Sequence, residues 1–102
     1  MSPVEQRIDR RIPINCPVKI RTKDLGDPWY GVCTDLSVSG MSIQTSFVPR
    51  EDEELEVMVI PPQGLNGGTQ KPLAALVRVR RCHEIERGRL YEIGLEILSI
   101  RQ

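Results

Sequence analysis

The stretch WYGVCTDLSVSGMSIQT, residues 29–45, holds two runs that alternate with a period of two on either side of a polar turn. Before the turn, Trp29, Gly31 and Cys33 fall on one face and Tyr30, Val32 and Thr34 on the other; after it, Met41 and Ile43 alternate with Ser42 and Gln44. Successive side chains of an extended chain point to opposite faces, so this alternation is the mark of a half-buried strand. A β-hairpin with Asp35 to Gly40 at its tip is the expected structure. Asp35 offers two oxygens that can accept a pair of parallel N–H bonds, Ser37 a hydroxyl that donates or accepts, and Gly40 a backbone free to take positive φ. The same residue types also make ordinary turns, so the tip alone does not separate a ligand site from a plain connection.

Outward from the hairpin the pattern repeats. Cys16, Val18, Ile20 and Thr22 alternate with Pro17, Lys19, Arg21 and Lys23, and a turn cluster follows at 24–28. Residues 46–54 are acidic and irregular around Pro49, Leu55 to Ile60 is β-prone, and Pro61 and Pro62 end that run. Residues 63–72, with Gly64, Gly67, Gly68 and Pro72, read as an exposed loop; no Gly-Lys-Ser/Thr follows, so a phosphate cradle is not expected there. Leu73 to Cys82 sets Val77 and Val79 opposite Arg78 and Arg80, Gly88 centres a charged turn, and Tyr91, Ile93, Leu95 and Ile97 alternate with Glu92, Gly94 and Glu96. Six short strands with no helical period predict an all-β fold, a small six-stranded antiparallel β-barrel whose closure removes exposed edges. Residues 1–13 are expected to be a flexible, arginine-bearing arm, and 14–100 the single barrel domain.

Composition narrows the function. A chain of 102 residues, 39% hydrophobic and 27% charged, suits one domain with a modest core. Fourteen Lys plus Arg balance fourteen Asp plus Glu, which disfavours a grip on long polyanions but leaves a small anionic ligand within reach of a local arginine pair. Cys16, Cys33 and Cys82 form no CxxC, and Cys82 and His83, adjacent on a strand, point apart, so neither a disulfide framework nor a metal site is expected. No apolar run is long enough to span a bilayer and no signal-peptide segment opens the chain, so a cytoplasmic setting is expected. His83 sits at a charged strand end and Asp35 with Ser37 lacks a histidine partner, so catalysis is not expected.

The arm changes the reading of the tip. Residues 5–13, EQRIDRRIP, carry Arg7 and Arg11 four positions apart, with Arg10 beside the second. Guanidinium is planar, always charged, and its donor fork matches both phosphate and the O6/N7 edge of guanine. Such a pair, with an aspartate able to accept from guanine N1–H and N2–H₂, would address every polar part of a guanine nucleotide. Arg7-x-x-x-Arg11 followed by Asp35-x-Ser37-x-x-Gly40 resembles the paired signature of PilZ domains, bacterial receptors for cyclic di-GMP. The resemblance runs from about Glu5 to about Leu98 and extends to RIPINCPVKI (11–20), GMSIQT (40–45), LVRVRR (76–81) and YEIGLEI (91–97). Ile97 stands where the family often has Phe, and 49–54 lacks a glycine many members carry; both departures touch core and loop.

The resemblance implies a split-barrel receptor or adaptor in second-messenger signalling, with Arg7, Arg11, Asp35, Ser37 and Gly40 as cyclic di-GMP-binding residues and Arg10 as a further candidate. Arg7 and Arg11 would clasp phosphate and Hoogsteen edges, Asp35 a Watson–Crick edge, and Ser37 phosphate or base, while Gly40 would let the backbone approach. Binding would order the arm over the barrel and change a surface read by a separate effector protein. Gln6, where binders of a stacked ligand pair often have Arg, implies one ligand. No cofactor beyond the signalling ligand is expected, and the chain is expected to be a monomer or weak dimer. Two alternatives stand beside this reading. One is a PilZ-like protein-interaction barrel that binds no nucleotide. The other is a small RNA- or single-strand-binding barrel, disfavoured by Trp29, Tyr30, Phe47 and Tyr91 lying scattered without excess basic charge.

Overall fold

Burial follows the alternation strand by strand. In the computed structural model, which describes residues 10–24, 26–61 and 71–101, Cys16, Val18 and Ile20 point inward from β1 (Ile12–Thr22) and Cys33 from β2 (Trp29–Leu36). Met41 and Ile43 do so from β3 (Gly40–Thr45), and Leu55, Val57 and Val59 from β4 (Glu54–Val59). Ala75, Val77 and Val79 of β5 (Leu73–Glu86) and Ile93 and Leu95 of β6 (Leu90–Arg101) complete the interior, with Phe47 plugging one end against Trp29 at a ring separation of 5.1 Å. Fully burying each such aliphatic side chain contributes roughly 1.5–3 kcal/mol, which is how a chain this short sustains one core.

The strands close into a barrel in the order β1-β2-β3-β6-β5-β4, with every neighbouring pair antiparallel. This is the predicted six-stranded fold. The first strand begins at Ile12, with Pro13 opposite Asp35, so its opening residues lie inside the stretch expected to be arm. Residues 1–9 of that arm, Arg7 and Gln6 among them, and the glycine-rich segment 62–70 lie outside the described residues. The charged turn between β5 and β6 closes at Gly88, whose φ of 70° suits a residue without Cβ. Among the described residues no helix is long and apolar enough to cross a membrane.

Register breaks matter more here than the regular ladder. β2 pairs β3 through Cys33↔Ile43 and then Asp35↔Ser42, so Thr34 is an extra residue; β5 pairs β6 through Val79↔Leu95 and then Arg81↔Gly94, so Arg80 is another. A bulge resets which face the following residues address. Cys33 faces the core, and strict alternation would send Asp35 inward after it; the break at Thr34 turns Asp35 out. The break at Arg80 does the same for Arg81, two positions after inward-facing Val79.

Candidate ligand-binding site

Ser37 builds the turn at the end of β2. Its amide donates to the Gly40 carbonyl at 2.8 Å, while its buried hydroxyl accepts from the Gly40 amide at 3.1 Å and reaches the Gly40 carbonyl at 3.2 Å. The Ile97 amide, donating to the Ser39 carbonyl at 2.8 Å, ties the turn to β6. Most of the Ser37 hydroxyl's bonding capacity is therefore spent holding the loop rigid.

Gly40 is required for a different reason from the one its place in a turn suggests. Among the described glycines only Gly88 has positive φ; Gly40 is extended and already in β3. A Cβ there would lie 2.6 Å from the Leu95 carbonyl oxygen of the paired strand. The glycine lets β3 and β6 approach, and the expectation of a left-handed conformation is corrected accordingly.

Arg11, just before β1, crosses to the hairpin. Its Nη1 donates to Asp35 Oδ1 at 2.6 Å and lies 3.4 Å from Ser42 Oγ, a marginal bond. Ser42 points outward between core residues Met41 and Ile43, yet only 2% of it is exposed. Beneath Asp35, the Cys33 thiol donates to the Asp35 carbonyl at 3.2 Å, and burial, reinforced by the Asp35 charge, pushes that thiol's pKa up to about 11. Cys33 is thus an inert packing group.

Antiparallel partners share a face, so the registers define a row across the barrel exterior. Asp35 is opposite Ser42, Ser42 opposite Gly94, and Gly94 opposite Arg81. A cleft of about 310 Å³ opens at the Gly94–Arg81 end of it, lined by Arg11, Gly40, Gly94, Arg80, Arg81 and Glu96. Arg80 is held by Glu96 and, at 3.3 Å, by Asp52, while Arg78 pairs with Glu54 at 2.8 Å. The alternating arginines of β5 are therefore mostly committed to carboxylates.

Arg10 turns elsewhere. It lines a second hollow of about 470 Å³ with Ile12, Leu36, Val38, Ile97 and Ile100, on the other side of the same turn. Of the residues picked out in sequence, the structure brings together Arg11, Asp35 and Gly40, has Ser37 brace the turn through Gly40 and border the apolar groove, and sends Arg10 to that same groove. Arg7 lies outside the described residues. Ser42, Gly94 and Arg81 were not singled out as site residues; only cross-strand register reveals that they stand beside Asp35.

A family model described as the PilZ domain matches residues 5–102. The chain belongs to the PilZ domain family. Solved PilZ structures share its fold. The inhibitor of motility MotI/DgrA of Bacillus subtilis is 16% identical, with a TM-score of 0.72, over 94% of this chain. This chain spans 44% of MotI's length. The PilZ domain of CeSA from a cellulose-synthesizing bacterium is 21% identical, with a TM-score of 0.63, over 88% of this chain and 81% of that one. The PilZ domain of YcgR from Escherichia coli, solved with c-di-GMP, is 13% identical, with a TM-score of 0.69, over 92% and 79% of the two chains. No curated protein sequence matches.

Proposed function

We propose that this PilZ domain is a cyclic di-GMP receptor that works as an adaptor, binding the dinucleotide through Arg7, Arg11 and Asp35 and passing the event to a partner protein. The observation that carries this reading is the pairing of Arg11 with Asp35 on the outer face of the barrel, a guanidinium fork and a carboxylate set side by side, with Arg11 also lining the neighbouring cleft. Guanine offers O6 and N7 as acceptors and N1–H and N2–H₂ as donors, the complement of those two groups. The fold shared with a PilZ domain solved with c-di-GMP supports the same assignment.

Energetics favour exchange of partners. In the free chain Arg11 and Asp35 satisfy each other, but a pair this exposed is worth only about 0–1 kcal/mol. A bidentate arginine–guanine contact is worth roughly 1–3 kcal/mol, so the ligand can displace the internal pair at a net gain. Several such contacts are needed to reach micromolar affinity, about −8 kcal/mol, after the arm is ordered. Ser37 acts by keeping Asp35 in place, and Gly40 by letting β3 lie against β6 beneath the ligand. Gln6 favours a single ligand over a stacked pair.

Signal transfer uses the arm. Arg10 and Arg11 are neighbours in sequence but line different hollows, so movement of this segment towards a ligand in the cleft is felt in the apolar groove, which Val38 of the same turn also borders. An arm ordered on one side presents a changed surface on the other.

Calorimetric titration with a nucleotide panel tests the proposal. Cyclic di-GMP should bind in the micromolar range, cyclic di-AMP and GTP at least about tenfold more weakly, and trypsin cleavage after Arg7, Arg10 and Arg11 should slow on binding. Equal affinity for cyclic di-AMP, or no heat at millimolar cyclic di-GMP, would contradict it.

A further inference from the structure

We propose that Arg81 is a second ligand-contacting arginine, engaging the half of the dinucleotide remote from Arg11 and Asp35. The inference rests on the cyclic di-GMP reading above and extends it to a residue outside the paired motifs.

Four observations converge. Asp35 and Arg81 stand at the two ends of one lateral row, with Ser42 and Gly94 between them. Each end is turned outward by its own bulge, the extra residues being Thr34 and Arg80, and bulges commonly re-aim side chains beside binding sites. The middle of the row is a floor of small residues. A Cβ on Gly94 would lie 2.8 Å from both Cγ and Nε of Arg81 and 3.1 Å from its Cζ, so the arginine lies along the sheet over the glycine, flanking the cleft floor. Finally, Arg81 is uncommitted: Arg11, Arg78 and Arg80 all pair with carboxylates, whereas Arg81 is exposed and, among the described residues, makes no ion pair or side-chain hydrogen bond.

Dimensions fit a two-unit ligand. Three interstrand steps separate the backbones of Asp35 and Arg81, roughly 14 Å along the curved sheet, and the Arg81 guanidinium, lying over Gly94, stands about one step nearer, roughly 10 Å from Asp35. One guanosine monophosphate anchored at Asp35 has no second unit with which to engage the far end, whereas a dinucleotide has a second guanine and a second phosphate to offer there. Both are acceptor-rich groups that a guanidinium fork recognises and an ammonium meets only as a point charge. Arg81 thereby favours a dinucleotide over a mononucleotide.

Calorimetry on Arg81→Ala, Arg81→Lys and Gly94→Ala, with Arg101→Ala as a remote control, reads this directly. Arg81→Ala should weaken cyclic di-GMP binding about tenfold, the loss of one bidentate contact, and leave guanosine monophosphate binding unchanged. Arg81→Lys should recover only part of the loss, Gly94→Ala should weaken cyclic di-GMP binding by displacing Arg81, and Arg101→Ala should match wild type. Since Arg81 is exposed and unpaired, Arg81→Ala and Arg81→Lys should melt with wild type, which separates a binding defect from a folding one. Wild-type binding with Arg81→Ala within about twofold of it overturns this proposal alone; a wild type that ignores cyclic di-GMP overturns the receptor reading as well. Equal losses for the mono- and dinucleotide would also overturn it, reducing Arg81 to a general positive charge.

Discussion

Arg11 Nη1 donates to Asp35 Oδ1 at 2.6 Å across 24 residues of sequence, joining the segment before the first strand to the hairpin. With side-chain exposures of 44% and 27%, the pair is screened by solvent and holds the fold only weakly. Arg11→Ala or Asp35→Ala should therefore cost no more than about 1 kcal/mol, a fall in Tm of about 4–8 °C at most for a domain of this size. Denaturant titration checks it, and a loss above about 2 kcal/mol would make the pair structural.

The glycines separate by what a methyl group would meet. Gly40→Ala drives a Cβ to 2.6 Å from the fixed Leu95 carbonyl and should destabilise by about 1–3 kcal/mol through strand separation. Gly94→Ala meets only the movable Arg81 side chain and should leave Tm within a few degrees of wild type. A reversed order in thermal melts would contradict the register given for β3 and β6.

Ser37→Ala removes a buried hydroxyl that bridges both polar groups of Gly40; the Gly40 carbonyl keeps the bond from the residue-37 amide, while the Gly40 amide loses the hydroxyl it donates to. A loss of about 1–3 kcal/mol is expected. Stability and ligand affinity should fall together in this variant, whereas Arg11→Ala should lose affinity with little loss of stability; measuring both in each variant distinguishes a brace from a contact.

Acid should reveal the Glu54 cluster. Hydrogen bonds from Lys23 first and Arg78 second lower the Glu54 pKa from 4.5 to about 2 in the folded chain. A depressed carboxylate pKa contributes stability that is complete above the unfolded value and is lost as pH falls through the folded one. The stability difference between wild type and Glu54→Gln should thus be constant above about pH 5 and shrink between 4.5 and about 2. A difference that grows in that window would reverse the sign.

Period-two alternation in Cys16–Ile20, Met41–Ile43, Val77–Val79 and Ile93–Leu95 was enough to read the barrel, because each run buries one face. The site was half legible. Arg11 and Asp35 stand in recognisable spacing, but alternation alone would have put Asp35 with Cys33 and Arg81 with Val79, facing the core. Only the bulges turn them out, and a bulge is set by pairing with a distant strand that local sequence does not specify. Gly40 misled for a related reason: its neighbours spell a turn, whereas the demand on it comes from Leu95, 55 positions along the chain.

Calorimetric titration of cyclic di-GMP into wild type, Arg11→Ala and Asp35→Ala, each first shown to be folded, tests the central claim most directly. Micromolar binding by wild type and none measurable in either variant is the predicted result; either variant binding as tightly as wild type would contradict it.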